Sequence, residues 1–190
     1  MRSRITSLAL VALLAAACTP ARADDLTTVR AKVAEAMQAA KSFVITTTAS
    51  TGFRVTMTFV APDRFHSTAT YNGANTDVVL IGPVAYVSPG SGQAYRKTDA
   101  PPEVTAAQSH LRDIPVDAVL PDKTAGGKSW GRFATTSAGP QKDQRLTCTY
   151  DKTTYRVNDC SNEGLTLTFT RYDDPANAVT VPTNLVPRAR

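Results

Sequence analysis

The sequence predicts a mainly β (α+β) domain: one curled antiparallel sheet of about eleven strands with two helical segments. Three observations carry this. The apolar residues change period from 3.6 to 2 shortly after residue 40 and keep the shorter period for most of the chain. Tight-turn signals rich in Gly, Pro and Asn recur between the apolar runs, which implies an antiparallel meander. A single proline-bounded segment, 98–127, breaks the alternation and divides the strands into two groups.

The elements follow in order. Leu26, Val29, Val33, Met37 and Ala40 recur at three-to-four spacing and define one face of a helix. Asp24 and Asp25 stand at its start, where the helix dipole favours negative charge. So narrow an apolar stripe does not hold a helix alone, so it must pack on something. Phe43 to Thr48 is β-branched and aromatic, as a pleated surface favours. Phe53, Val55, Met57 and Phe59 alternate with Arg54, Thr56 and Thr58. Ala61-Pro62-Asp63 turns the chain, and 64–71 runs back to the Asn72-Gly73 hairpin signal. Short strands over 77–81, 84–87 and 93–97 follow, with Gly82-Pro83 and 89–92 between them.

In the interruption, Pro101-Pro102-Glu103 opens a helix whose face is Val104, Ala107 and Leu111. Pro115 ends it, and a second apolar cluster of Val116, Val119 and Leu120 stops at Pro121. Gly126-Gly127 closes the insert. Strands resume over 128–137, 141–151, 154–159, 164–172 and 178–181, with a second clean alternation at Leu165, Leu167 and Phe169. Residues beyond 182 read as a loose tail.

Two helices cannot tile the apolar face of so wide a sheet if it is flat. Right-handed twist curls it instead, so it either closes into a barrel or half-closes with the helices in the mouth. Both outcomes leave a concave apolar interior, a common place for a ligand.

The first residues read as a secretory signal of a bacterium: Arg2 and Arg4, an apolar run over 5–17, then small residues. Two processing routes fit. Signal peptidase cutting after Ala21-Arg22-Ala23 leaves Asp24 first, whereas lipoprotein processing leaves an acylated Cys18. The domain then covers 24–182, followed by a short tail 183–190. Residues 1–23 carry three arginines and no acid, so their removal takes the formal charge from +5 to +2. No dense basic run with interleaved aromatics remains, which argues against nucleic acid as a partner. Either route leaves Cys148 and Cys160 as the cysteine pair of the folded chain. In an oxidising envelope such thiols usually pair, adding about 3 kcal/mol for so short a loop; the alternative is two free buried thiols.

Catalytic signals are lacking. His66 falls on the polar-facing register of its strand and His110 in the central helical segment, and neither has a nucleophile or paired acid close in sequence. A hydrolase assembled from distant residues around these histidines is the remaining enzyme reading. Asp173-Asp174 reads as turn chemistry. No Gly-rich phosphate loop precedes a helix, and the cysteine spacing fits no zinc pattern, so no cofactor and no metal are expected. Trp130 reads as a core anchor or a residue at the lip of the curl.

Pro62-Asp63-Arg64-Phe65, following its strand, resembles the Pro-x-Arg-Phe corner of the outer-membrane lipoprotein carrier (LolA/LolB-like) superfamily. The stretch 81–86 with Tyr95-Arg96-Lys97, and the ending 172–177 with Val181-Pro182, are similar to that family's next hairpin and last strand. The resemblance implies an unclosed half-barrel with helices as a lid, and binding of acyl chains of lipids or of acylated lipoproteins. On that expectation Phe53, Val55, Met57, Phe59, Leu165, Leu167 and Phe169 line the concave face, and Val104, Ala107 and Leu111 form the lid. The protein is then a non-enzymatic, monomeric envelope or periplasmic protein, anchored if Cys18 is acylated. The rival is an envelope module with a filled core that contacts a protein of a membrane complex.

Overall fold

A computed structural model describes residues 25–90, 92–102, 104, 111–136 and 144–187. The leader, including Cys18, and the central residues Ala107 and His110 lie outside them.

The helix α1 spans Leu26–Ala39 and buries Val29, Val33 and Met37 completely. Each such side chain contributes about 1.5–3 kcal/mol on leaving water, so packing stabilises this helix, as its narrow stripe requires. Asp25 occupies the N-cap position but makes no side-chain cap bond.

The strands are β1 (Ser42–Ala49), β2 (Arg54–Val60), β3 (Arg64–Tyr71), β4 (Ala74–Ile81), β5 (Val84–Ser88), β6 (Arg96–Asp99), β7 (Ala118–Ala125), β8 (Lys128–Thr136), β9 (Arg145–Asp151), β10 (Val157–Ser161) and β11 (Leu165–Thr170). They form one unclosed antiparallel sheet in the order β6-β5-β4-β3-β2-β1-β11-β10-β9-β8-β7. Two meanders are thus fused where β1 pairs with β11, Ile45 opposite Phe169 and Thr47 opposite Leu167. At the hairpin between β3 and β4, Asn72 and Gly73 take φ of 49° and 78°, the left-handed pair that a two-residue turn demands.

The number of strands matches the expectation, but their composition does not. Residues 118–125 form the strand β7 where a short apolar cluster ending at Pro121 was expected. Pro121 fits because β7 is an edge strand, and its register with β8 shifts between Leu120 and Lys123. Conversely, 178–181 forms no strand. That stretch crosses the outer face of the sheet, where buried Val179 packs with Val79 and Tyr86. Arg64 holds it through a 3.4 Å bond to the Val179 carbonyl. Nor is the tail loose from residue 182. The amide of Tyr95 donates to the Asn184 carbonyl at 2.8 Å, and the amide of Val186 donates to the Tyr95 carbonyl at 2.9 Å.

The main core lies on the concave side. Phe43 stacks near Phe59 at 4.9 Å, Phe59 near Phe65 at 5.1 Å, and Phe43 near Tyr172 at 5.6 Å. The Cys148–Cys160 disulfide forms between directly opposed residues of β9 and β10 and is buried in this core. Trp130 is not a core anchor. It is half-buried, with the Lys128 ammonium 4.1 Å from its ring centre.

Gly131 answers a packing demand. A Cβ there would lie 2.1 Å from the ring of fully buried Tyr150. Asp173 clamps the fold's seam: its carboxylate accepts from the Lys41 amide at 2.7 Å and pairs with Arg156, while its own amide donates to the Ser42 carbonyl at 2.9 Å. Burial pushes this carboxyl up, but the Lys41, Arg156 and Ser42 donors outweigh it and hold it below the usual range. Asp174 accepts from the Ala176 amide at 2.8 Å and from Arg171 at 2.9 Å, so the turn reading of this acidic pair holds and Asp173 adds the clamp. Asp151 is bonded by the Lys128 ammonium and by the amides of Thr154 and Thr153, which take its carboxyl down to about 2.

Two outcomes follow. Gly131→Ala should cost about 3 kcal/mol in urea unfolding, because the clash is with an immobile ring. Asp151 has a folded pKa below its unfolded one, so its contribution is present above about pH 4 and is lost as pH falls toward 2. Asp151→Asn should therefore be less stable than the parent at neutral pH and indistinguishable from it near the acid end of that window, as read from urea midpoints against pH.

Candidate functional site

Register fixes which side chains share the concave face. One row runs Val87, Val78, Ser67, Met57, Ile45 and Phe169 across β5, β4, β3, β2, β1 and β11. The next runs Thr76, Ala69, Val55, Thr47, Leu167, Cys160 and Cys148. Directly opposed residues of a sheet point to the same side, so these rows are the floor of the curl.

The floor is covered unequally. The helix α1 lies over the β8–β10 side, where Lys32 sits 4.6 Å from the ring centre of Tyr155, which itself stacks on Tyr150 at 5.5 Å. Because β6 and β7 are consecutive in the chain but stand at opposite edges, the connection between them must cross the whole sheet. Its end runs antiparallel along α1. Arg30 grips the Val116 carbonyl with two bonds of 3.1 and 2.8 Å, and Arg112 bonds the Gln38 carbonyl at 3.2 Å. The Arg112 guanidinium also lies 5.1 Å from the ring centre of Phe59. The connection is thereby pinned to both halves of the helix.

Of the seven expected lining residues, two are sealed. Phe59 is 1% and Phe169 5% exposed, so they fill the core beneath α1 rather than face open space. The other five, Phe53, Val55, Met57, Leu165 and Leu167, are half-buried. Tyr71 and Val87 lie on the same side at its margins and are 50% and 36% exposed. The Phe53 and Tyr71 rings meet edge-on at 6.2 Å. Of the lid residues, Val104 and Leu111 pack against the core together with Ile114. Ala107 lies outside the described residues.

Sequence reasoning missed Val78, Ala69, Tyr71 and Val87, which the β2–β3–β4–β5 pairings bring onto the same floor. The alternation of Tyr71, Ala69 and Ser67 is too weakly apolar to signal a buried face, and only the register with β2 shows it. Arg30 and Arg112 were also missed, since a solvent-exposed arginine looks the same in sequence as one that reaches a carbonyl. The trough is an apolar surface suited to a flexible hydrocarbon. Among the described residues no three His, Cys, Asp or Glu side chains converge. His66 lies on the outer face, its Nε2 2.8 Å from Asp77 Oδ1. His110 lies outside the described residues.

No protein-family model and no curated protein sequence matches the chain. Solved structures do. The fold is similar to that of the lipoprotein LppX of Mycobacterium tuberculosis, with a TM-score of 0.52 and 14% identity over 80% of this chain and 97% of that one. It is also similar to LprF of Mycobacterium bovis, with a TM-score of 0.50 and 13% identity over 85% of this chain and 97% of that one. At these identities the likeness is one of fold.

Replacing Arg112 with Gln should release the crossing segment. Amides of 111–116 should exchange faster with deuterium, and stability should fall by about 1 kcal/mol, the worth of one cation–π contact and one hydrogen bond.

Proposed function

We propose that the chain is a bacterial envelope protein that holds an acyl chain of a lipid or lipoprotein against the concave face of its sheet. One observation carries the reading. On that floor Phe53, Val55, Met57, Val78, Leu165 and Leu167 stay half-buried, while the aromatic cluster beside them is sealed. A sheet that only needed a core would gain by covering these residues. Affinity would come from burying methylenes, each worth roughly 0.8 kcal/mol, and Met57 offers a thioether that adapts to chains of different shape.

The likeness to LppX, a lipoprotein, supports an envelope role and favours the acylated-cysteine reading of the leader. From Cys18 to Leu26 the chain reaches at most about 28 Å when extended, so such an anchor would keep α1 close to the membrane. The intact mass of the mature chain separates an acylated Cys18 from a free Asp24. The resemblance of the 62–65 corner to lipoprotein carriers suggests that the bound chain is moved or handed on, without any covalent step.

Native mass spectrometry of the purified protein, followed by lipid extraction, should show bound lipid. Ala69→Phe separates this reading from a filled core. Ala69 is half-buried on the floor, opposite Val55. In an unfilled trough the added ring should cut the affinity for a fluorescent fatty acid at least about tenfold, or 1.4 kcal/mol, with the melting temperature unchanged. In a filled core it should instead cost about 1–3 kcal/mol of stability, and the parent should bind no probe.

A further inference from the structure

The outer face of the sheet carries a second concavity, separate from the trough. Where the chain end crosses β3, β4 and the residue before β6, it leaves a cleft of about 280 Å³ whose lining includes His66, Val79, Tyr95, Thr180, Thr183 and Asn184. Its size lies just below that of ordinary ligand pockets, which start at about 300 Å³, so an occupant must be small.

The floor of this cleft is fixed by Asp77. The carboxylate takes a 2.8 Å bond from His66 Nε2 and interacts electrostatically with the nearby Tyr95 hydroxyl. The Asp77 side chain is only 14% exposed, so the pair is partly sheltered from water. With Nε2 engaged, Nδ1 is the remaining polar atom of the His66 ring. The side chains of Thr180, Thr183 and Asn184 make no hydrogen bond to protein among the described residues, although the Asn184 carbonyl is used in pinning the chain end. Tyr95 and Pro182 add apolar surface to the same lining.

A ligand that matches must be small and must present apolar C–H surface on its face with hydrogen-bonding groups round its edge. A hydrophobic chain would cover the amide and hydroxyls without pairing them, and a compact ion would leave the aromatic and proline surface unused. A sugar ring has both properties. We propose that this outer cleft binds a single sugar ring, with Tyr95 and Pro182 against its C–H face and His66, Thr183 and Asn184 at its hydroxyls. The ring can belong to a free or polymeric glycan, or to the head group of a glycolipid. The proposal does not depend on acyl binding in the trough.

The test is a titration of the ¹⁵N-labelled protein with methyl glycosides of glucose, mannose and galactose, followed by amide shifts, with octyl glucoside as a further arm. At least one methyl glycoside should give saturable shifts at residues 66, 77, 95 and 179–184. Asn184→Ala combined with Thr183→Val should weaken that binding about tenfold at an unchanged melting temperature, because both side chains are exposed and carry no contact of the fold. Thr70→Val, also on the outer face but away from the cleft, should change nothing. Tighter binding of octyl glucoside than of methyl glucoside at the cleft residues would assign the ring to a lipid head group, and equal binding there would assign it to a glycan. Absence of saturable shifts with every methyl glycoside would overturn the proposal. So would shifts that the double variant leaves intact, or sugar-dependent shifts confined to Met57 and Leu167.

Discussion

The structure depends on one topological constraint. The strands β6 and β7 follow each other in the chain yet occupy opposite edges of one eleven-stranded sheet. The chain between them must therefore traverse the sheet's full width. It cannot do so along an edge, and the concave side is where its Val104, Leu111, Ile114 and Val116 find apolar partners. The covering of the concave face is thus built into the order of the strands.

The cover is asymmetric because α1 and the crossing segment support each other. Arg30 and Arg112 tie them together at two heights, through Val116 and Gln38. Asp173 in turn ties the chain between α1 and β1 to the end of β11. These contacts hold the cover over the β8–β10 side and, through Arg112 on Phe59, over the sealed row of β2. Within β2–β5 the row of Phe59, Phe65, Leu80 and Ala85 is sealed as well, and the half-buried Met57, Val55 and Val78 lie further along the same strands. The division between filled core and trough thus runs across the strands, row by row, with Phe169 sealed and Leu167 half-buried on β11 in the same way.

Much of the fold was legible from the sequence because its devices are local. Period-2 alternation marked β2 and β11, the Asn72-Gly73 dipeptide marked its hairpin, and three-to-four spacing marked α1. The cysteine pair was legible from the count and the compartment. What failed was non-local. Pro121 looked like a terminator, but at an edge strand a missing N–H costs nothing because no neighbour needs it. The 178–181 run looked like a strand because Val179 is buried, yet its burial comes from packing on the outer face of strands already paired. For the trough, alternation found five half-buried residues but could not tell them from Phe59 and Phe169, which share the same face. Only α1, whose position no local signal gives, distinguishes the two groups.

The outer face shows by contrast what a sheet looks like when it is not meant to be covered. In the middle of the sheet it presents threonines in register, Thr46 opposite both Thr56 and Thr168. Their methyl groups suit the pleat and their hydroxyls suit water, so no cover is required. On the concave side the same strands carry valine, methionine and leucine, which water penalises. Six side chains of this kind, each still partly exposed, forgo roughly a quarter of the 1.5–3 kcal/mol that full burial of each would give, or about 2–5 kcal/mol together. That is a sizeable part of the whole stability of a domain. A fold can tolerate such a loss only if the rest is over-determined, as the sealed aromatic cluster, the Cys148–Cys160 bridge and the Asp173 clamp make it. The forgone burial is then recoverable by any flexible hydrocarbon that enters, and a trough of this kind stabilises its cargo with energy that the fold itself has left unused.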